Sequence, residues 1–268
     1  MDRDQHGYPD LVPTLFNATV PGNVAVILRQ IQCKLVNRES GRTGADVTDR
    51  DRRITEYLFN MQLMTTITAN PKHLDDWLSS DTQFHLLYPV SIRRLANKHW
   101  TPLNVAKMAS EFLVIEDDAR VLDIGSGVGK FCLAASCYKP NAFFTGIEQR
   151  AELIGHATAA RDTLGVSNAS FIHGNFTQLN FKTYDHFYFY NSFFENLDGT
   201  DKIDDRIEYS AALYDYYSRY LYKELEGKPA GTRIVTYCSW LDEMPPSYSV
   251  VQTGLDGLLK FHIKGESC

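Results

Sequence analysis

A glycine-rich stretch, DIGSGVGKF at residues 123–131, carries the clearest chemical signal in the sequence. Gly125, Gly127 and Gly129 alternate with other residues directly after an apolar run typical of a buried strand. Glycines let the backbone come close to a ligand, because they have no side chain in the way. The stretch therefore predicts a small-molecule site at the end of a strand, and the neighbouring Asp123 bears on which molecule it takes.

A dinucleotide and S-adenosylmethionine are the two ligands that compete for such a loop. The dinucleotide fingerprint is G-x-G-x-x-G, and it holds a pyrophosphate at a helix N-terminus. Here the third glycine comes one residue early, and the carboxylate of Asp123 would repel a pyrophosphate. The same carboxylate would attract the amino group and the sulfonium of S-adenosylmethionine, so the charge favours the methyl donor.

Two positions after later strands extend the predicted site. Glu148 ends the strand AFFTGIE, about 20 residues after the loop, where a carboxylate can accept hydrogen bonds from both ribose hydroxyls. Asn175 follows the third strand, where its amide can pair with the adenine edge while Phe176 packs on the ring. These positions predict a nucleoside held along the sheet edge.

These motifs resemble the class I S-adenosylmethionine-dependent methyltransferases over about residues 101–263. Asp123 and the three glycines match the D/E-x-G-x-G-x-G signature of that class, and Glu148 matches its ribose acid. Asn175 stands where the class usually has aspartate. The resemblance implies a cofactor, S-adenosylmethionine, and a methyl-transfer reaction.

The order of several shorter motifs is similar to the Dot1-like lysine methyltransferases. Ser192 stands where that family has a second asparagine. The resemblance implies a protein lysine as the methyl acceptor. The matching segments are Thr101-Pro102, DIGSGVGKF, Glu148, GNF at 174–176 and YNSFF at 190–194.

The loop and the resemblance together define a predicted cofactor site. Its residues are Thr101, Asp123, Gly125, Ser126, Gly127, Gly129, Phe131, Glu148, Gln149, Asn175 and Phe176.

Residues after the fourth strand are predicted to receive the acceptor. Asn191 and Tyr190 are the candidate catalytic residues, because the Asn191 amide can accept a hydrogen bond from an amine and aim it at the methyl group. Phe193 and Phe194 are predicted to bind the substrate, since aromatic walls suit a cationic amine. Asparagine also favours turns, so a purely structural role for Asn191 stays open.

Other acceptors remain possible interpretations of the same residues. O-methylation would need a general base, for which His156, His173 and His186 are candidates. C-methylation by a cysteine nucleophile is not favoured, because no cysteine is expected at the relevant strand edge. A small-molecule N- or O-methyltransferase and a non-catalytic protein of the same fold are the alternatives to protein methylation.

The charge pattern bears on the partner. Seven acidic residues outnumber Lys202 and Arg206 between residues 185 and 208, and such a surface would attract a basic protein substrate. A solvated acidic loop explains the same run. The net charge of -6 and the pI of about 5.7 weigh against a dedicated nucleic-acid binder.

The elements needed to position these residues follow from the apolar periodicity. From residue 101 the sequence alternates helices and strands, with Thr101 predicted to cap a helix that begins at Pro102. A long helix is predicted over about residues 204–225, and the last strands follow one another without helices. The pattern predicts an α/β fold with a Rossmann-like, doubly wound, seven-stranded sheet and an antiparallel C-terminal hairpin.

Residues 1–100 are predicted to form a helical cap or a substrate- or partner-binding region, and residues 101–268 the methyltransferase domain. One hypothesis is that residues 84–100 cover the cofactor.

The chain has no apolar run of about 18 residues and no apolar signal core, which predicts a cytoplasmic protein without a membrane span, with the nucleus also open. Five cysteines without paired spacing predict reduced thiols and no metal site. The oligomeric state is not predicted.

Overall fold

The computed structural model describes residues 74–239 and 244–266, and all of these belong to one compact unit, Thr55–Cys268. The predicted helical cap rests on apolar residues that recur at three- and four-residue intervals within residues 24–35 and 54–67, and both stretches lie outside the described residues, as do Cys33 and Cys268. The structure describes residues 74–100 of the predicted N-terminal region, and the boundary at residue 100 stays a prediction.

Seven described strands form one mixed sheet. Their bounds are β1 Arg120–Ile124, β2 Phe143–Glu148, β3 Ala169–His173, β4 His186–Tyr190, β5 Arg233–Tyr237, β6 Tyr248–Gly254 and β7 Leu259–Lys264. Their order in the sheet is β3-β2-β1-β4-β5-β7-β6. The first five strands in this order run parallel, whereas β7 is antiparallel to both β5 and β6. This arrangement confirms the predicted Rossmann-like sheet with an antiparallel C-terminal hairpin.

Helices precede and alternate with the parallel strands. Four short ones are α1 Leu74–Trp77, α2 Asp81–His85, α3 Val90–Arg93 and α4 Ala96–His99. Four longer ones are α5 Leu103–Leu113, α6 Lys130–Tyr138, α7 Ala151–Leu164 and α8 Ala211–Glu226. Single 3-10 turns at Phe176–Gln178 and Phe194–Asn196 follow β3 and β4.

Two apolar cores lie on the two faces of the sheet, because successive residues of a strand point to opposite sides. In β1, Val121 packs in the core that includes residues of α5, α6 and α7. Its neighbour Leu122 packs in the other core, together with Tyr217 and Leu221 of α8. The alternation decides which residues at the end of each strand can reach a ligand.

The start of α5 differs from the sequence prediction. Thr101 does not cap the helix, because its hydroxyl pairs with the Tyr188 hydroxyl at 3.0 Å. The amide of Leu103 instead donates to Asp81 Oδ1 at 3.1 Å, so a residue from α2 provides the missing acceptor. A cap from 22 positions earlier in the chain cannot be recognised from local sequence.

The start of α8 also differs. The predicted helix began near residue 204, but α8 begins at Ala211, with Ser210 Oγ accepting from the amide of Leu213 at 3.2 Å. The residues before it are held outside the helix by side-chain contacts, such as the Tyr209 hydroxyl donating to the Asp204 carbonyl at 2.7 Å. The segment between β4 and α8, residues 191–210, is called the cover segment below.

Residues 74–100 pack on the first face of the sheet domain. The Tyr88 hydroxyl donates to the Val128 carbonyl at 3.0 Å, and Phe84 and Trp100 are buried in the same core as α5 and α6. Lys130, at the start of α6, pairs with Asp81 of α2. These contacts bring α4 close to the carboxyl ends of the strands.

Candidate active site

A pocket of about 460 Å³ opens at the carboxyl ends of β1, β2 and β4. Ligands bind at this edge in open α/β sheets, and small-molecule sites typically measure roughly 300–1,000 Å³. The predicted site residues that line it are Gly125, Gly127, Glu148, Gln149, Phe176, Tyr190, Asn191, Phe193 and Phe194.

All three glycines of the loop have a positive φ, but the reason that glycine is needed differs among them. The φ angles are +76° at Gly125, +54° at Gly127 and +77° at Gly129. A Cβ atom would lie 2.4 Å from Ser192 Cβ at Gly125 and 2.4 Å from Phe171 Cε1 at Gly129, so both positions are required by internal packing. At Gly127 nothing lies within 4 Å. Gly127 is therefore the glycine that leaves room for a ligand.

Asp123 lies behind the pocket wall. Its side chain points toward α6, where the Cys132 thiol donates to Oδ2 at 3.6 Å, and it does not line the pocket. Burial raises the pKa of Asp123 to about 8; the bond from Cys132 opposes the shift, and the charge of Glu148 adds to it. At pH 7 most of the group is neutral, so the attraction inferred from the sequence does not act from the pocket wall.

Glu148 joins the glycine loop to the end of β2. Its Oε2 accepts from the amide of Gly127 at 3.2 Å, and its Oε1 accepts from the amide of Arg150 at 2.9 Å. Burial raises the pKa of Glu148, and the charge of Arg150 opposes that shift. The carboxylate lines the pocket, as the predicted ribose role requires.

Arg150, which the sequence analysis missed, lies at the centre of a buried polar cluster. Its guanidinium donates to Glu148 Oε1 at 3.4 Å, Glu195 Oε2 at 2.5 Å, Asp204 Oδ1 at 3.3 Å and the Tyr209 hydroxyl at 2.6 Å. Burial alone would lower the pKa of Arg150, but the charges of Glu195 and Glu148 outweigh it and raise the pKa. The only local signal was a cation two residues after the ribose acid.

Asn175, which was predicted to pair with adenine, uses its side-chain amide for hydrogen bonds within the protein. Asn175 caps the turn that follows it, accepting from the amide of Thr177 at 3.0 Å, and its Nδ2 donates to the Tyr217 hydroxyl at 2.8 Å and to Gln149 Oε1 at 3.3 Å. The amide would have to give up these contacts to pair with adenine. Phe176 lines the pocket from the same turn.

The turn after β4 brings the predicted acceptor residues to the pocket. Asn191 has a φ of +44°, a conformation that asparagine tolerates better than most residues. Ser192 Oγ donates to the Ile124 carbonyl at 2.5 Å and so ties the turn to the glycine loop. Asn191 thus has the turn role considered from the sequence and also lines the pocket.

Aromatic residues of this region divide between core and pocket. Phe193 stacks on Phe176 with ring centroids 5.0 Å apart, and both rings also line the pocket. The Tyr190 hydroxyl donates to the Lys98 carbonyl at 3.1 Å, and burial raises the pKa of Tyr190 to about 12. Tyr190 therefore lines the pocket and donates a hydrogen bond, and its raised pKa does not suit the role of a base.

Besides Asp123, Gly129 and Asn175, three further predicted cofactor residues do not line the pocket. Phe131 stacks on Tyr188 at a centroid distance of 3.9 Å, which places it in the core. Thr101 is bonded to the same tyrosine. The Ser126 hydroxyl is buried beside Gly146 without a hydrogen-bond partner. Any part that these residues play in cofactor binding would be indirect or through the backbone.

The wall opposite the glycine loop comes from α4 and the cover segment. Lys98 Nζ lies 2.8 Å from Asp201 Oδ2, so an exposed ion pair joins the two elements. Burial lowers the pKa of His99, despite the opposing charge of Glu195. The residues of this wall before β1 are Leu95, Lys98, His99 and Trp100.

The histidines proposed as bases for O-methylation do not line the pocket. His186 begins β4, where its Nδ1 accepts from the amide of Arg233 at 3.1 Å, and burial lowers its pKa to about 4. His173 Nε2 lies 3.0 Å from the Gln149 carbonyl oxygen, and His156 lies on α7. The histidine on the wall is His99, which the sequence analysis did not select.

The expectation that no cysteine lies at the strand edge is wrong. Cys238 follows β5 directly and lines the pocket, with a φ of +53°. Burial raises the pKa of its thiol, and a raised pKa disfavours the thiolate that nucleophilic catalysis requires. Its position alone therefore does not make it a nucleophile.

Neither a membrane helix nor a metal cluster is found in the part of the chain that the structure describes. Within residues 74–239 and 244–266, no helix has both the length and the apolar character needed to cross a bilayer. The same residues contain no group of three or more histidine, cysteine, aspartate or glutamate side chains placed to hold a metal ion.

Short local similarity links the chain to curated RNA-modifying enzymes. It is 44% identical over 54 residues to a tRNA (guanine-N(7)-)-methyltransferase of Synechococcus sp. (strain JA-3-3Ab), covering 20% of this chain and 23% of that protein. A protein of the same name from Microcystis aeruginosa is also 44% identical over 54 residues, which cover 26% of its length. The match thus spans about a quarter of these relatives.

Solved structures show low-identity similarity. An RNA methyltransferase from Salinibacter ruber in complex with S-adenosyl-L-homocysteine is 17% identical, with a TM-score of 0.46, over 63% of this chain and 95% of that chain. TrmN from Thermus thermophilus is 16% identical, with a TM-score of 0.43, over 65% of this chain and 52% of that chain.

A family model described as a methyltransferase domain matches residues 115–254, slightly more than half of the chain. The matched region begins before β1 and ends with β6, so it contains the glycine loop, Glu148, Arg150 and the cover segment. The match confirms the predicted enzyme class and agrees with the predicted cofactor, S-adenosylmethionine. The chain belongs to the methyltransferase domain family.

Proposed function

We propose that the chain binds S-adenosylmethionine in the pocket and transfers its methyl group to an amine of a basic protein, with a lysine side chain as the expected acceptor. The order of the Dot1-like motifs supports lysine. The observation that carries the amine assignment is the acidic character of the cover segment beside Asn191.

The cofactor end of the pocket fits this proposal. Gly127 leaves open space at the loop, and the Glu148 carboxylate lines the pocket at the end of β2, where it can accept from ribose hydroxyls. Phe176 offers an aromatic ring on the same side. S-adenosylmethionine held by Glu148 and the glycine loop would supply an electrophilic methyl group on its sulfonium, with S-adenosylhomocysteine as the leaving group.

The acceptor end carries negative charge. Residues 195–208 contain six acidic and two basic residues. Around the pocket as a whole, Glu148, Glu195, Asp201 and Glu208 outnumber Lys98 and Arg150, although Asp201 is paired with Lys98. A concave surface with an excess of one charge concentrates oppositely charged partners. This excess favours an ammonium group over a phosphate backbone as the approaching partner.

Three wall residues have properties that suit an amine. The Asn191 side chain can accept a hydrogen bond from the nitrogen and orient it toward the methyl group. Burial lowers the pKa of His99 and so favours its neutral imidazole, which can accept a hydrogen bond from the amine. Tyr190 stays protonated and closes the aromatic side of the wall.

The proposal is tested by incubating the enzyme and tritium-labelled S-adenosylmethionine with the protein, RNA and small-molecule fractions of a cell lysate. Label should appear in the protein fraction and be recovered as methyllysine after acid hydrolysis. Asn191→Gly removes the side chain but accepts the positive φ, so it should retain cofactor affinity and lose most of the turnover. Label confined to the small-molecule fraction, or full turnover in the variant, would contradict the proposal.

A guanine nitrogen of an RNA is the second candidate acceptor. It is favoured by the 44% identity over 54 residues to tRNA (guanine-N(7)-)-methyltransferases. The acidic cover segment weighs against it, because nucleic-acid sites are usually basic. Label that is released by ribonuclease and recovered as methylguanine would favour this candidate over lysine.

A further inference from the structure

Arg150 connects two parts of the pocket that are far apart in sequence. It precedes α7, two residues after the predicted ribose acid Glu148. Its other partners, Glu195, Asp204 and the Tyr209 hydroxyl, all belong to the cover segment. One side chain therefore joins the cofactor end of the pocket to the acceptor end.

The charge balance of this cluster makes Arg150 hard to replace. The side chains of Arg150 and Glu148 are each 7% exposed, and those of Glu195 and Asp204 are 14% and 26% exposed. Three carboxylates thus face the Arg150 guanidinium in a largely buried region, and Asp204 also lies 3.9 Å from Nε of the exposed Arg206. Removing the cation would leave like charges close together with little water to screen them.

The distances differ between the two sides of the cluster. The guanidinium lies 3.4 Å from Glu148 Oε1. On the cover-segment side it lies 2.5 Å from Glu195 Oε2, 2.6 Å from the Tyr209 hydroxyl and 3.3 Å from Asp204 Oδ1, so two of its three contacts there are markedly shorter. Ribose hydroxyls can therefore bond Glu148 while the cover segment stays bound to Arg150. The planar guanidinium has five donors, enough to hold several acceptors at once, whereas a lysine ammonium is a single point.

We propose that Arg150 is a positioning residue that clamps the cover segment onto the ribose end of the cofactor pocket. It thereby also positions the acceptor wall, which is formed by the cover segment and α4. The inference rests on the proposed binding of S-adenosylmethionine. Through Glu148, which Arg150 and the ribose share, a bound cofactor further stabilises the clamped segment. The acceptor wall is then held most firmly when the cofactor is in place.

Hydrogen–deuterium exchange of residues 191–210, with and without S-adenosylhomocysteine, tests this role. In Arg150→Gln, amides of this segment should exchange at least about tenfold faster than in the wild type, while amides of β1 and β4 keep their rates. The ligand should slow exchange of the segment in the wild type but not in this variant. Arg150→Lys should fall between the two, because lysine restores the charge but not the fork.

Arg161→Gln is the matched control. Arg161 lies on α7 and its guanidinium bonds Asp162, so this variant should exchange like the wild type. If Arg150→Gln does not fold, Arg150→Lys and Glu195→Gln decide the question, since the latter removes one charge from the clamp and should also speed exchange of the segment.

Unchanged exchange of residues 191–210 in the folded Arg150 variants, or in Glu195→Gln where that variant must decide, would overturn the clamp. Failure of the wild type to bind S-adenosylhomocysteine in calorimetry would instead overturn the proposed function. The two failures are distinguishable, because the exchange rates without ligand are measured independently of binding.

Discussion

The two walls of the pocket are built in different ways. The glycine-loop wall is made by consecutive residues, and its shape depends on backbone conformation at Gly125, Gly127 and Gly129. The opposite wall combines α4 with the cover segment. The cover segment is held by Arg150, whose partners Glu195 and Tyr209 lie 45 and 59 positions later in the sequence. The glycine-loop wall therefore takes its shape from consecutive residues, which then pack against Ser192 and Phe171, whereas the other wall forms only through long-range contacts.

The largest expected effect is on stability, and it distinguishes the glycine that packing requires, Gly129, from the glycine that leaves room for a ligand, Gly127. In Gly129→Ala the new Cβ would overlap Phe171 and Ala157 at a positive φ, and we expect a loss of about 2–4 kcal/mol in unfolding free energy. Gly127→Ala meets no neighbour and should lose only about 1 kcal/mol. Urea denaturation of both variants measures the difference. Equal losses would show that the two glycines do not have separate roles.

Glu148→Gln should weaken S-adenosylhomocysteine binding next most strongly. The neutral amide cannot accept from Gly127, Arg150 and ribose as a carboxylate does, and hydrogen bonds to charged groups contribute about 1.5–3 kcal/mol, or roughly 10–100-fold in Kd. Calorimetry gives the affinity, with the exposed Glu111→Gln on α5 as control. An unchanged Kd would remove Glu148 from the ribose site.

Asp123→Asn should change how stability depends on pH. The folded pKa of Asp123 is raised to about 8 from an ordinary value of 3.8, so the folded chain keeps a proton that the unfolded chain releases between these values. This group therefore lowers stability progressively as pH rises through that window. Between pH 5 and pH 9, the Tm of the variant should rise by about 2 °C or more relative to the wild type.

The asparagine variant isolates this one group, because the other titrating residues are shared with the wild type. A Tm difference that stays constant from pH 5 to pH 9 would contradict the buried, proton-binding state of Asp123.

The smallest effect is expected at the exposed edge of the acceptor wall. The side chains of Lys98 and Asp201 are 60% and 67% exposed, and solvent screens the attraction between charges that are so exposed. Lys98→Gln should therefore change Tm by less than about 2 °C. A larger loss would mean that the ion pair, rather than Arg150, is the main link across the pocket.

The sheet was predictable from sequence because its signals are local. Strand alternation and the order of helices and strands gave the parallel sheet and the antiparallel hairpin. The helix starts at Leu103 and Ala211 were misplaced, because their caps and competing contacts come from side chains such as Asp81 and Tyr209. Tertiary contacts overrode local capping preference at both places.

The lining of the pocket was predictable where a residue's position follows from the backbone. Gly127, Glu148 and Asn191 line the pocket because strand ends and turns place them there. Asp123 and Phe131 do not, since one faces away along the alternation of β1 and the other packs on Tyr188. Arg150 was missed because its significance arises only when the cover segment folds back onto it.

Isothermal titration calorimetry of the wild-type chain with S-adenosylmethionine and, separately, with NAD tests the central claim most directly. The account predicts saturable one-to-one binding of S-adenosylmethionine, lost or strongly weakened in Glu148→Gln, and no binding heat with NAD. Binding of NAD without binding of S-adenosylmethionine would contradict the assignment of this pocket to the methyl donor.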